Sequence, residues 1–143
     1  MTKTVDDLLE EVRGRYERVL PEQASDEQQA GAILVDTRSY EQRREHGLIP
    51  GAVLMERNVM EWRLDPASDA HESWIEDHDA RVIVVCQQGF GSSLAVRSLL
   101  DIGLARATDL IGGFEAWREA GLPVDPHSPE GDERARQGPT PGG

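Results

Sequence analysis

The chain has 143 residues and one cysteine, with 15 Lys and Arg against 27 Asp and Glu for a formal charge of −12. That length suits one domain. The acidic balance argues against nucleic-acid partners and against anionic membrane surfaces. A lone cysteine excludes a disulfide framework within the chain, a dithiol redox motif and a cysteine zinc cluster. It fits a reducing compartment. No apolar run approaches a membrane span, and no basic-then-apolar leader opens the sequence. The expected location is cytoplasmic.

In chain order, residues 4 to 20 predict an amphipathic helix. Thr4 and Asp7 have capping-box spacing. Val5, Leu8, Leu9, Val12, Tyr16, Val19 and Leu20 mark one face, and Pro21 is the expected stop. Such a helix either packs over the domain or serves a partner or a homodimer. Pro21 to Ala30 is polar, with room for a short helix. Ala32 to Asp36 reads as a buried strand. Asp36 and Arg38 stand at its C-terminal end, as a structural ion pair or as support for an active loop. Ser39 should cap a helix reaching Glu45. Ile49-Pro50-Gly51 is a turn, and Ala52 to Met55 a short strand. Arg57 to Leu64 reads as a helical turn. Asp65 to Asp79 is acidic, with Trp74 and Ile75 anchoring a short helix. Its His71 and His78 lack any hard-ligand metal spacing, so no metal is expected.

Val82-Ile83-Val84-Val85 is a continuous β-branched run ending at Cys86. It reads as a central, buried, parallel strand. Leu94, Ala95, Ser98, Leu99 and Ile102 then recur at helical spacing, with Gly91 or Ser92 as cap and Gly103 as stop. Cys86 is therefore expected where open α/β sheets place ligand sites, at a strand's C-terminal end facing a helix N-terminus. Gly89 and Gly91 allow positive φ, which would turn several amides inward to cradle an anion. The thiolate, or a group attached to it, is the candidate anion. The alternative is an inert, buried small hydrophobe. Phosphatase chemistry fits poorly: its loop needs an Arg six positions after the nucleophile, and Ser92 stands there. Thr108 to Ile111 is a last strand, Gly112-Gly113 a turn, and Phe114 to Ala120 a helix with Trp117 in the core. Residues 126–143 lack periodic apolar positions and read as a disordered tail. The expected organisation is a first helix over 1–21, a domain over 22–125 and the tail. Strands alternating with helices imply an α/β fold, a parallel sheet with helices on both faces.

Taken together, the motifs resemble the rhodanese (sulfurtransferase) family over roughly residues 30 to 124. Cys86 with Gly89 three residues on, Asp36-Thr37-Arg38, Ile49-Pro50-Gly51-Ala52 and Gly112-Gly113-Phe114-Glu115-Ala116-Trp117 follow the family's signatures in order. The resemblance implies a central, mostly parallel five-stranded sheet. It also implies an enzyme of the thiosulfate:cyanide sulfurtransferase kind that needs no cofactor. Cys86 would carry a persulfide between a thiosulfate or persulfide donor and a thiol acceptor. Gln87, Gln88, Gly89, Phe90, Gly91 and Ser92 would form the active loop, with Asp36 and Arg38 supporting it. Ser92 or Ser93 would bond the sulfur or cap the helix. Two departures stand out. The loop lacks the basic residue many family loops carry near its end. The pair His46-Gly47 also reverses the usual order, a change expected only in a surface loop. Arg57 and Arg63, in a segment that borders the pocket in the family, are the candidates to replace the missing charge. The alternative function is a rhodanese-like module that delivers or senses sulfur, or binds a protein, without turnover.

Overall fold

The computed structural model describes residues 2–139. Among these residues, four strands form one parallel sheet: β1 (Ile33–Asp36), β2 (Val53–Leu54), β3 (Val82–Val85) and β4 (Thr108–Asp109), in the order β2-β1-β3-β4. Asp36 pairs with Val85, so the chain leaves β1 and β3 at the same edge of the sheet. The strand order reverses between these two strands, the switch point where open α/β sheets form a crevice.

Both faces of the sheet are covered, as alternation along the strands requires. Val35, Val82 and Val84 point to one side. There they pack with Met60 and Leu64 of α4 (Met60–Leu64) and with Ala95, Val96 and Leu99 of α5 (Gly91–Asp101). Leu34, Ile83 and Val85 point to the other. Their partners are Ala24 of α2 (Pro21–Gln29) and Phe114 and Trp117 of α6 (Gly113–Glu119). Residues Val82 to Val85 are fully buried, which explains why β3 shows no polar alternation. Between β1 and β2, α3 (Tyr40–His46) is capped by Ser39, as the sequence predicts, and Gln42 closes a capping box with it.

Four expectations change. The first helix, α1, covers only Val5–Arg13 and ends at Gly14. Beyond it the chain is drawn out along β4: Val19 N–H donates to the Asp109 carbonyl, and Ile111 N–H to the Val19 carbonyl. Val19 forms a single parallel bridge with Leu110. The sheet thus has four strands and this one-residue addition at its edge, where five strands were expected. With α1 ended at Gly14, Pro21 is not its stop but opens α2, at a position where its missing N–H costs nothing.

The third change is in the acidic stretch Asp65 to Asp79. It holds turns and no helix, although Ile75 is buried as an anchor. The fourth is in the segment read as a disordered tail, which forms α7 (Pro129–Arg136), with Ser128 as N-cap. Its docking is polar: the guanidinium of Arg43 meets buried Asp132 at 2.8 Å. Apolar periodicity carries no trace of such a contact. The tail's last residues, 140–143, lie outside the described chain. Among the described residues, no helix is long and apolar enough to cross a membrane.

Candidate active site

Cys86 is the first residue past β3, and its side chain is half-buried. The loop folds back so that Gly89 N–H donates to Sγ at 3.1 Å and Ser92 N–H at 3.4 Å. The N-terminus of the eleven-residue α5 begins inside this loop, so its dipole adds to the amides. The geometry is a cradle for negative charge on or beside the sulfur.

Gly89 takes φ +87°, and an added Cβ would lie 2.7 Å from the Gly112 nitrogen. The Gly112-Gly113 turn is bound to the loop from the other side. Phe114 N–H donates to the Cys86 carbonyl at 2.8 Å, and Glu115 N–H to the Gln87 carbonyl at 3.1 Å. Two signatures far apart in sequence thus form one unit. Gly91, expected to share the positive φ, does not: it is the first residue of α5, with Phe90 as N-cap.

The remaining expected residues fall as follows. Arg38 meets Asp36 through Nε and Nη2, with both side chains fully buried. Arg38 also donates to the Gly47 carbonyl at 2.8 Å and lies 3.9 Å above the Phe114 ring. The pair thus ties β1 to the end of α3 and to α6. The Gln87 amide reaches towards Arg38 at 3.5 Å and Glu115 at 3.3 Å. Gln88 and Phe90 are exposed. Arg57 pairs with Glu61 at 2.9 Å and reaches Ser98, while Arg63 pairs with Glu72. Both guanidiniums therefore already face a carboxylate.

Ser92 and Ser93 do neither of the things expected of their hydroxyls. Both donate to Asp109 Oδ2, at 2.7 and 2.8 Å. Asp109 is fully buried at the end of β4. Tyr16 and Arg18 complete its shell, with Tyr16 Oη donating at 2.8 Å and Arg18 Nε at 2.9 Å. Burial opposes the Arg18 charge, but its bond to Asp109 and the charge of Asp109 hold its pKa above the ordinary value. Burial is the main cause that pushes the Tyr16 phenol up, aided by Asp109 against an opposing bond with Ser93. The phenol therefore stays a donor.

Sequence reasoning missed this cluster. Its one visible signal was an acidic residue inside a buried strand, which demands partners. Nothing in the pattern placed Arg13 or Arg18 there, and Tyr16 stood out only as part of an apolar helix face.

A model of the rhodanese-like domain matches residues 20–120. The chain belongs to the rhodanese-like family. Among its relatives, the thiosulfate sulfurtransferase GlpE of Haemophilus influenzae is 31% identical over 110 residues, which cover 77% of this chain and 95% of that one. GlpE of Pseudomonas syringae pv. syringae is 35% identical over 103 residues, 72% of this chain and 88% of that one. Among solved structures, a protein of unknown function from Rhodopseudomonas palustris, described as a possible tyrosine phosphatase, superposes with TM-score 0.77 at 28% identity. The match covers 87% of this chain and 96% of that one. A rhodanese-related protein of Thermoplasma volcanium superposes with TM-score 0.60 at 24% identity, covering 78% of this chain and all of that one, a likeness of fold. Within this rhodanese-like chain, Arg13, Tyr16 and Arg18 precede the region the family model matches.

Proposed function

We propose that this rhodanese-like protein is a sulfurtransferase that carries a sulfane sulfur on Cys86. The observation that carries the reading is the pair of main-chain N–H groups, from Gly89 and Ser92, aimed at Sγ at the end of β3. The naming of its GlpE relatives as thiosulfate sulfurtransferases supports it.

In the first half-reaction the Cys86 thiolate attacks the outer sulfur of thiosulfate. A new S–S bond forms, the old one breaks, and sulfite leaves with the electron pair. An organic persulfide reacts in the same way and releases a thiolate. The amides and the helix dipole then stabilise the negative terminal sulfur of the Cys86 persulfide. In the second half-reaction an acceptor thiolate, or cyanide in the test tube, attacks that sulfur and frees the Cys86 thiolate, a ping-pong cycle. Gln87, Gln88, Gly89, Phe90, Gly91 and Ser92 form the wall around the sulfur, and the Asp36–Arg38 pair supports it. Arg57 and Arg63 enter this reading as the border of the donor pocket.

A phosphatase reading is weaker. The loop offers no guanidinium of its own to grip phosphate, and Ser92 stands where that arginine belongs.

Intact mass after incubation with thiosulfate and then cyanide tests the proposal. Wild type should gain one sulfur atom and lose it to cyanide, whereas Cys86→Ser should gain none. Arg57→Ala and Arg63→Ala should raise the thiosulfate concentration needed for half-loading; an unchanged value removes both from the site. If neither thiosulfate nor organic persulfides load wild type, the non-turnover module is the better reading.

A further inference from the structure

The Cys86 loop has no charged side chain of its own, yet two guanidiniums lie against its outer wall. Arg13 Nη2 and Arg18 Nη2 both donate to the Gly89 carbonyl, at 2.8 and 2.9 Å. The N–H of the same glycine donates to Cys86 Sγ. A trans peptide directs its N–H opposite to its C=O. Gripping the Gly89 carbonyl therefore fixes the plane it shares with Phe90 and turns the Phe90 N–H away from the guanidiniums.

The two arginines are themselves anchored. Arg18 holds Asp109 through Nε at 2.9 Å and Nη2 at 3.1 Å. Arg13 Nε donates to Ser93 Oγ at 2.9 Å, and its guanidinium lies 5.9 Å from the Phe90 ring centre. Asp109 takes the hydroxyls of Ser92 and Ser93, and Ser92 supplies the second N–H to the sulfur. The cluster thus contacts both residues, Gly89 and Ser92, whose amides face the sulfur. Two guanidiniums against one carboxyl group also leave a surplus positive charge behind a loop that has none. Arg57 and Arg63, by contrast, each face a carboxylate.

We propose that Arg13 and Arg18 are positioning residues for the Cys86 loop: they grip the Gly89 carbonyl, hold the sulfur-facing amides in place, and supply the positive potential that draws an anionic sulfur donor. The proposal rests on the reading of Cys86 as the reacting atom. It gives the segment before residue 20 a role at the site, although that segment lies outside the region the family model matches.

Paired alkylation of the full chain tests it. Iodoacetate and iodoacetamide react at the same sulfur by the same displacement: an S–C bond forms and iodide leaves. They differ in charge, so the ratio of their rates reports the local potential, and the thiolate fraction cancels. About 150 mM salt screens charges farther than a Debye length of about 8 Å. Under these conditions the iodoacetate-to-iodoacetamide ratio at Cys86 should exceed that of free cysteine. Arg13→Gln should lower the ratio about threefold to tenfold, the order of effect expected from removing one unit charge beside the loop. Arg13→Lys should keep it within about twofold. Arg13 is half-exposed at the end of α1, and the thermal midpoint of each variant reports its folding.

A wild-type ratio at or below that of free cysteine overturns the proposal whatever the variants do. An unchanged ratio in folded Arg13→Gln overturns it as well. Alkylation involves no sulfur transfer, so the two readings fail separately. The expected ratios without persulfide formation would remove the sulfurtransferase reading and leave the positioning role standing.

Discussion

At the scale of single residues, the site depends on close approach between backbones. Gly89 has positive φ, and its missing side chain leaves room for the Gly112 nitrogen. Gly89→Ala would place a methyl group against backbone that is itself tied to Cys86 and Gln87 by two hydrogen bonds. The substitution should destabilise the fold by about 1–3 kcal/mol, the cost of holding a non-glycine residue in that region. It should also displace the N–H that faces the sulfur. Denaturant unfolding checks the first effect. Persulfide loading of the still-folded fraction checks the second, and loading equal to wild type would show that the Gly89 amide is dispensable. The Asp36–Arg38 pair works differently. It is fully buried, so its two charges must satisfy each other, and Arg38 uses its remaining donors on Gly47 and Gln87.

At the scale of elements, α7 shows how a polar contact can dock a helix that has almost no apolar face. Burial disfavours the Asp132 charge. The Arg43 hydrogen bond and charge, with smaller contributions from Arg136 and His127, nevertheless hold its pKa below the usual carboxylate value. A lowered folded pKa means stability that is fully present above about pH 4 and is lost as the pH falls through the folded value. Glu56 follows the same sign, chiefly through its bond to Arg136. Acid should therefore release α7 before the sheet unfolds. Protection factors of residues 129–136, each measured rate referred to the intrinsic rate at that pH, should fall on acidification, while those of β3 stay high. Asp132→Asn should show the low protection already at neutral pH, and that protection should lose most of its pH dependence. Exchange in α7 that tracks β3 at every pH would refute independent release.

For the whole molecule, the charge of −12 opposes the proposed transfer from an anionic donor. A dianionic donor such as thiosulfate approaches a protein that repels it at long range, while the local amides and guanidiniums attract it at short range. Salt screens the distant charges first, because the Debye length falls from about 30 Å at 0.01 M to about 8 Å at 0.15 M. In steady-state sulfur transfer, kcat/KM for thiosulfate should therefore rise over that range. A donor of lower charge should show a smaller change. A fall for thiosulfate would mean that the local positive charge dominates even at a distance.

The layout of the domain was legible in the sequence because it rests on local, apolar signals. The run Val82 to Val85, the break at Cys86, the helical spacing that follows and the Gly112-Gly113 turn each occupy a few consecutive residues. Their burial is the hydrophobic effect acting on a period that can be read directly. The capping box at Ser39 is equally local. What the sequence did not show are polar contacts between distant residues. Arg13 and Arg18 reach Gly89 across 76 and 71 residues, and Arg43 reaches Asp132 across 89. A guanidinium looks the same in one dimension whether it faces water or the back of an active loop. Sequence alone determined that the chain's one cysteine stands at a strand end, before a helix. The tertiary structure decided which charges surround it, because hydrogen bonds are set by direction and distance, and neither exists until the chain has folded.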